Sequence, residues 1–241
     1  MKVVVAYKWA RNSADALVRA DGSIDWRNAK MVAGEDDPAA LQVGKELTGS
    51  TGGQLVGLTI GDGDASWVLA RGAAETLSID DAPFVGDNAQ TAAVLAAGVA
   101  RIGDVDVVVI GDSKQDPGVS VALAGHLGWP SIVGVTSAEF DAGRVVAHRR
   151  TGGNRETLAV STPVVIGVSA EAETDVVPGM KELLAARKRP VTKVSLADLG
   201  VDVRDIPVTG VEVPEQSAAR TFQGDEAPRQ LLAALRAEGV L

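Results

Sequence analysis

Cysteine is absent from the 241 residues, so disulfides, thiolate zinc sites and cysteine nucleophiles are excluded. Histidine is nearly absent: His126 and His148 are the only two, too few for a histidine-rich metal site. No apolar run approaches the roughly 20 residues of a membrane span. Met1-Lys2 leads directly into Val3-Val4-Val5-Ala6, without the apolar region and cleavage site of a signal peptide. A cytoplasmic protein with no membrane insertion is the expectation. Basic charge is in deficit, with 23 Lys and Arg against 32 Asp and Glu and a net charge of −9, which argues against nucleic-acid binding. The basic residues that do bunch, Arg187-Lys188-Arg189, suit the C-terminal end of a helix. A Walker loop is missing as well, because Gly61-Asp62-Gly63-Asp64 is acidic where the phosphate-binding lysine belongs.

What is present is apolar. Hydrophobic residues make up 46% of the chain, ample for the core of one α/β domain with extensions or of two small domains. The organising stretch runs from Val105 to Pro130. Val105, Val107, Val108, Val109 and Ile110 form the near-continuous run of a strand covered on both faces. It stops at Gly111, and the polar loop Asp112-Ser113-Lys114-Gln115-Asp116-Pro117-Gly118 follows. Val121, Leu123, Ala124 and Leu127 then recur at helical spacing until Gly128 and Pro130. Strand, loop and helix in this order place ligands outside the carboxyl end of the strand, and the free N–H groups of a helix beginning near Pro117 or Gly118 would face an anion there. His126 reads as a packing residue of that helix.

Taken in order, residues 2–8 read as a first buried strand, and residues 9–12 as a loop leaving its carboxyl end. Asp21-Gly22-Ser23 marks a hairpin turn in an excursion outside the core. The acidic turn Gly34-Glu35-Asp36-Asp37-Pro38 precedes the helix positions Ala40, Leu41, Val43 and Leu47, where carboxylates serve as cap and dipole complement. Residues 55–60 form the next strand, residues 65–74 a helix, residues 76–85 an extended piece and residues 89–102 an alanine-rich helix. This alternation predicts a doubly wound parallel sheet. After Pro130 the pattern changes to antiparallel hairpins around Asp141-Ala142-Gly143 and Gly152-Gly153, with His148 solvated beside Arg149 and Arg150. A buried strand at residues 162–168, a helix ended by Pro190 and, from about residue 195, a polar connector follow. The chain then reaches a short amphipathic helix at residues 228–238, with Leu231, Leu232 and Leu235 on one side. Such a helix is marginal alone and must dock on its own domain or on another chain. The expected organisation is a nucleotide-binding domain over residues 1–194 and an extension over residues 195–241.

Several segments carry a resemblance. Lys30-Met31 with the acidic turn and Ala40-Leu41, Leu127-Gly128-Trp129-Pro130, Gly152-Gly153-Asn154-Arg155-Glu156-Thr157 and Thr162-Pro163-Val164-Val165 come first. Val177-Pro178-Gly179-Met180, Ala186-Arg187-Lys188-Arg189-Pro190 and Leu196-Ala197-Asp198-Leu199-Gly200-Val201 follow. In this order and spacing the chain resembles the β subunit of electron transfer flavoproteins.

The resemblance implies a Rossmann-like, adenine-nucleotide-hydrolase-like fold and a heterodimer with an α subunit that holds most of the FAD. It also implies AMP, or in electron-bifurcating members a second FAD, in the crevice of this subunit. The implied nucleotide wall is Ala6, Gly34, Glu35, Asp36, Asp37, Ile60, Gly111, Asp112, Ser113, Lys114, Gln115, Asp116, Pro117, Gly118 and Val119. No catalytic residue is implied, since the chain acts as an electron carrier on a shared flavin. Tyr7 and Trp9 are candidate flavin neighbours, with ordinary packing the simpler reading. Residues 169–177 correspond to the loop that docks a flavoprotein dehydrogenase. Here that loop carries Glu171, Glu173 and Asp175, which call for a basic partner. The chain also departs from the family at Gly34-Glu35-Asp36 and in a shorter loop after Gly111. Three carboxylates near a phosphate repel it unless a cation intervenes. A stand-alone adenine-nucleotide sensor is the alternative on the same fold.

Overall fold

The computed structural model describes residues 1–61, 63–81, 87–112, 116–169, 178–204, 206–207, 209–210 and 219–241. In chain order the elements are β1 (Lys2–Ala6), β2 (Trp9–Arg11), β3 (Leu17–Val18), β4 (Ile24–Asp25), β5 (Met31–Ala33), α1 (Asp37–Thr51), β6 (Gln54–Ile60), α2 (Ala65–Leu69), β7 (Glu75–Ile79), α3 (Asn88–Ile102) and β8 (Val107–Gly111). They continue with α4 (Val119–Leu127), β9 (Ser131–Asp141), β10 (Arg144–Thr151), β11 (Asn154–Ser161), β12 (Val164–Val168), α5 (Met180–Ala186), β13 (Val191–Val194), α6 (Leu196–Leu199) and α7 (Ala227–Ala237).

Contacts divide the chain into two units. The larger comprises residues 1–16 and 26–208, and the smaller residues 17–25 and 209–241. The larger is a doubly wound α/β unit on a nine-stranded sheet ordered β11-β10-β9-β12-β8-β1-β6-β7-β13. Every neighbouring pair from β9 to β13 is parallel, and β10 and β11 extend the same sheet antiparallel beyond β9. Alternate side chains of β1 explain the two helical layers. Val3 and Val5 join Leu41, Val43 and Leu47 of α1, Val68 of α2 and Ala186 of α5. Val4 and Ala6 face the other way, into a cluster with Val94 and Leu95 of α3, Leu123 of α4 and the partly buried Leu196 of α6. Strands sandwiched this way need apolar residues at successive positions, and β1, β8 and β12 supply them.

The antiparallel hairpins are as the sequence suggests. Thr151 pairs with Asn154 across Gly152-Gly153, and Asp141 with Arg144 across Ala142-Gly143. Four expectations are corrected. Residues 9–12 are not simply a loop: β2 pairs antiparallel with β5, Trp9 opposite Ala33 and Arg11 opposite Met31. The helix expected over residues 65–74 is the single turn-and-a-half of α2, begun by Asp64, whose side chain accepts the Ser66 N–H. The connector expected from about residue 195 begins with the short helix α6, and residues 191–194 ahead of it form the parallel edge strand β13 beside β7. Arg189 does not cap its own helix; its guanidinium donates to the carbonyls of Leu69 and Ala73 at the end of α2, at 3.4 and 2.9 Å.

The smaller unit contains the hairpin β3–β4, with Leu17 opposite Asp25 and Val18 opposite Ile24. Asp21 shapes its turn by accepting the N–H and hydroxyl of Ser23. Helix α7 has no buried residue, and Leu231 and Leu232 are 48% and 41% exposed. No helix among the described residues is long and apolar enough to cross a membrane.

Candidate functional site

The chain leaves β1 toward β6 and β7 on one side of the sheet, and β8, β12 and β9 lie on the other. The order therefore switches between β1 and β8, and the crevice beyond their carboxyl ends is where open α/β sheets take ligands. Local pairing decides what occupies it. Because β2 and β5 pair, the chain returns beside its own start, and the Gly34 N–H donates to the Lys8 carbonyl at 3.1 Å. That return delivers the acidic turn and the N-terminus of α1 to the end of β8.

Asp37, in the first turn of α1, is 5% exposed. Its Oδ2 accepts the backbone N–H groups of Lys8 and Gly34, both at 2.8 Å. Burial pushes its carboxyl up to about 7, and Asp36 next to it adds repulsion; the two N–H groups and the Lys8 charge pull the other way. Asp36 is buried as well but makes no side-chain capping bond to the helix. Gly111 closes β8 against this turn. A Cβ there would lie 2.9 Å from the Asp36 Cβ and 3.1 Å from the Asp37 Oδ1, so only a residue without a side chain lets the turn approach the strand.

The second wall is the entrance to α4. Gly118 takes a left-handed conformation (φ 84°) as the residue before the helix, and Val119 is buried beneath it. Asp116 is drawn to β1, with Oδ2 2.6 Å from Lys8 Nζ. The Pro117 carbonyl accepts from Asn88 of α3 at 2.9 Å. Asp112 donates its N–H to the Val168 carbonyl, and its carboxylate accepts from the Gly134 N–H at 3.1 Å and the Ser120 hydroxyl at 3.4 Å.

Ala6, Gly34, Asp36, Asp37, Gly111, Asp112, Asp116, Pro117, Gly118 and Val119 thus line the loops around one switch point. Glu35 is exposed on the same turn. Ile60 ends the neighbouring strand β6, in register with Ile79. Ser113, Lys114 and Gln115 lie outside the described residues, as does the dehydrogenase loop beyond Ser169.

Lys8 is the residue sequence reading missed. A single lysine after a strand carries no signal, and its partner is 108 positions away. Tyr7 is a core residue, 4% exposed, with its ring 5.3 Å from that of Trp67. Burial pushes its hydroxyl up, and the nearby Asp64 charge adds to this. His126 is exposed in the last turn of α4 rather than packed. His148 is part-buried rather than solvated, its Nδ1 3.0 Å from the Thr157 hydroxyl.

Lys8 is the cation of this corner among the described residues: its Nζ pairs with Asp116 and its charge acts on Asp37. Beyond the geometry, residues 27–199 match the electron transfer flavoprotein domain family. With well over half of its length matched, the chain belongs to the electron transfer flavoprotein domain family, whose members are electron carriers rather than conventional enzymes.

Proposed function

We propose that this chain is the β-type subunit of an electron transfer flavoprotein. It pairs with an α-type subunit, encloses FAD with it, and passes electrons from a flavoprotein dehydrogenase to a downstream acceptor. The observation that carries the pairing is α7. Its eleven residues include none that is buried, and Leu231 and Leu232 stand open to solvent. A helix that short is marginal in water without a packed face, so a partner surface is its natural complement.

FAD supplies the redox chemistry when bound. The carboxylates at the switch point suit a pyrophosphate badly, which supports a cofactor held by the partner and walled off by this chain. The chain's task is then to exclude water and to set the field at the shared cofactor. The dehydrogenase would dock through residues 169–177, whose Glu171, Glu173 and Asp175 favour a basic patch.

Co-expression with an α-type subunit tests the proposal. The expected product is a yellow heterodimer with flavin absorbance, and Leu231→Asp with Leu232→Asp should abolish pairing while the isolated chain keeps its circular-dichroism spectrum. A colourless, unpaired chain with every candidate α-type subunit would overturn it.

A further inference from the structure

We propose that the free end of the β10–β11 hairpin is a docking surface for carboxylates of the α-type subunit, gripped by Arg150 and Arg155. The inference rests on the pairing proposed above and adds to it a place of contact and the charge that the partner presents there.

The register of the hairpin carries it. Arg150 stands directly opposite Arg155, one pair before the turn at Gly152-Gly153 is closed by Thr151 and Asn154. Side chains opposed in this way on antiparallel strands are roughly 5 Å apart at Cβ, and like charges there destabilise the sheet. Both arginines are exposed, and among the described residues neither makes an ion pair or a side-chain hydrogen bond. The nearest acid along the strand does not relieve them. Successive side chains point to opposite faces, so Glu156 lies on the other face, where its Oε2 pairs with Arg149 Nε at 2.7 Å.

The next pair on the arginine face is His148 with Thr157, joined from Nδ1 to the hydroxyl at 3.0 Å. These four side chains therefore project together. Glu139 stands 4.0 Å from His148 Nε2, which leaves the arginine pair uncompensated. In a chain of net charge −9, two guanidiniums held side by side are a local reversal of sign, and a carboxylate is the group that relieves their repulsion.

The edge of the sheet points to a protein partner rather than a small anion. Strand β11 is the last of the nine, and its outer edge has no neighbouring strand among the described residues. The opposite edge, β13, is four residues long and carries Lys193, a short and charged form that discourages an added strand. Strand β11 is eight residues long and has neither charge nor proline after Glu156. A polypeptide laid along it meets free backbone groups beside the two arginines, which a small anion has no means to use.

The test measures pairing of the purified chain with an α-type subunit by isothermal titration at low and high salt. Wild type, Arg150→Gln, Arg155→Gln and the double variant are compared, and urea unfolding of each isolated chain is followed alongside. The double variant should bind about tenfold more weakly at low salt, with the gap closing near about 0.5 M salt. In the isolated chains the substitutions remove a repulsion, so the urea midpoints should equal or exceed that of wild type. A double variant that pairs with unchanged affinity and salt dependence overturns this proposal and leaves the pairing standing. A lowered urea midpoint overturns it too, because the arginines would then be bonded within the chain. Failure of the wild type to pair with any α-type subunit overturns both readings.

Discussion

Lys8 Nζ lies 2.6 Å from Asp116 Oδ2, an ion pair that joins the residue just beyond β1 to the turn ahead of α4 across 108 positions of sequence. Both side chains keep more than a third of their surface in water, at 40% and 34% exposure. Solvent therefore screens the attraction, and the pair contributes on the order of 0.2–1 kcal/mol. Lys8→Met and Asp116→Asn should each lower the free energy of urea unfolding by about 1 kcal/mol or less. The difference from wild type should vanish in 1 M salt, where the screening length is about 3 Å. A salt-insensitive loss of several kcal/mol would show that the pair is shielded far better than its exposure indicates.

Asp37 should make stability fall as pH rises. Its carboxyl moves from 3.8 in the unfolded chain to about 7 in the fold, because burial penalises the charge. The native state therefore holds a proton that the unfolded state has released between these values, and stability drops across that window as pH increases. The penalty is absent below about pH 4 and complete above about pH 7. Asp37→Asn keeps an oxygen acceptor for Gly34 and Lys8 but cannot ionise. The variant should gain a few kcal/mol on the wild type at about pH 8 and lose that advantage near pH 4. Unfolding curves at several pH values decide it: parallel pH profiles for the two proteins would mean that Asp37 does not titrate in this window.

The parallel core was legible because its signals are local. Val107–Val109 and Val164–Ile166 are buried on both faces, and that requirement is written as uninterrupted apolar runs. The hairpins were legible through alternation and through Ala142-Gly143 and Gly152-Gly153 at their tips. Strand β13 was not, since it is four residues long and exposes Thr192 and Lys193 on the sheet edge. Nor was the pairing of Trp9–Arg11 with Met31–Ala33, in which three residues on each side are joined across a long excursion. At the crevice, the acidic turn could be read as a helix start, but not which carboxylate would bend back onto Lys8 and Gly34. Such partners are chosen by tertiary return of the chain. Arg189 makes the same point, capping carbonyls up to 120 positions away.

Tyr7→Phe should cost nothing and could stabilise. The hydroxyls of Tyr7, Thr59 and Thr76 are buried next to one another without a well-formed hydrogen bond among the described residues, although Thr76 and Thr59 lie close enough to act on the Tyr7 hydroxyl. An unpaired buried hydroxyl carries a desolvation cost of about 1–3 kcal/mol that phenylalanine removes, while the ring stays on Trp67. Thermal unfolding of the variant should show a midpoint equal to or above that of wild type. A clear drop would reveal that the Tyr7 hydroxyl is bonded, through water or through Thr59 and Thr76.

Gly57→Ala should be the most damaging of these changes. Gly57 sits in β6 opposite Thr76 of β7, with Val68 of α2 packed against it. A Cβ at this position would meet the Thr76 hydroxyl oxygen at 2.3 Å and the Val68 Cγ1 at 2.7 Å. Both neighbours are β-branched and stiff about χ1, so neither can turn aside cheaply, and the strand or α2 must shift. Overpacking of this kind costs about 1–3 kcal/mol. If the clash with Thr76 is the cause, Thr76→Ala should return part of that loss in the double variant, giving a favourable coupling of at least about 0.5 kcal/mol in a double-mutant cycle. Strict additivity of the two substitutions in urea unfolding would place the damage at Val68 and α2 instead.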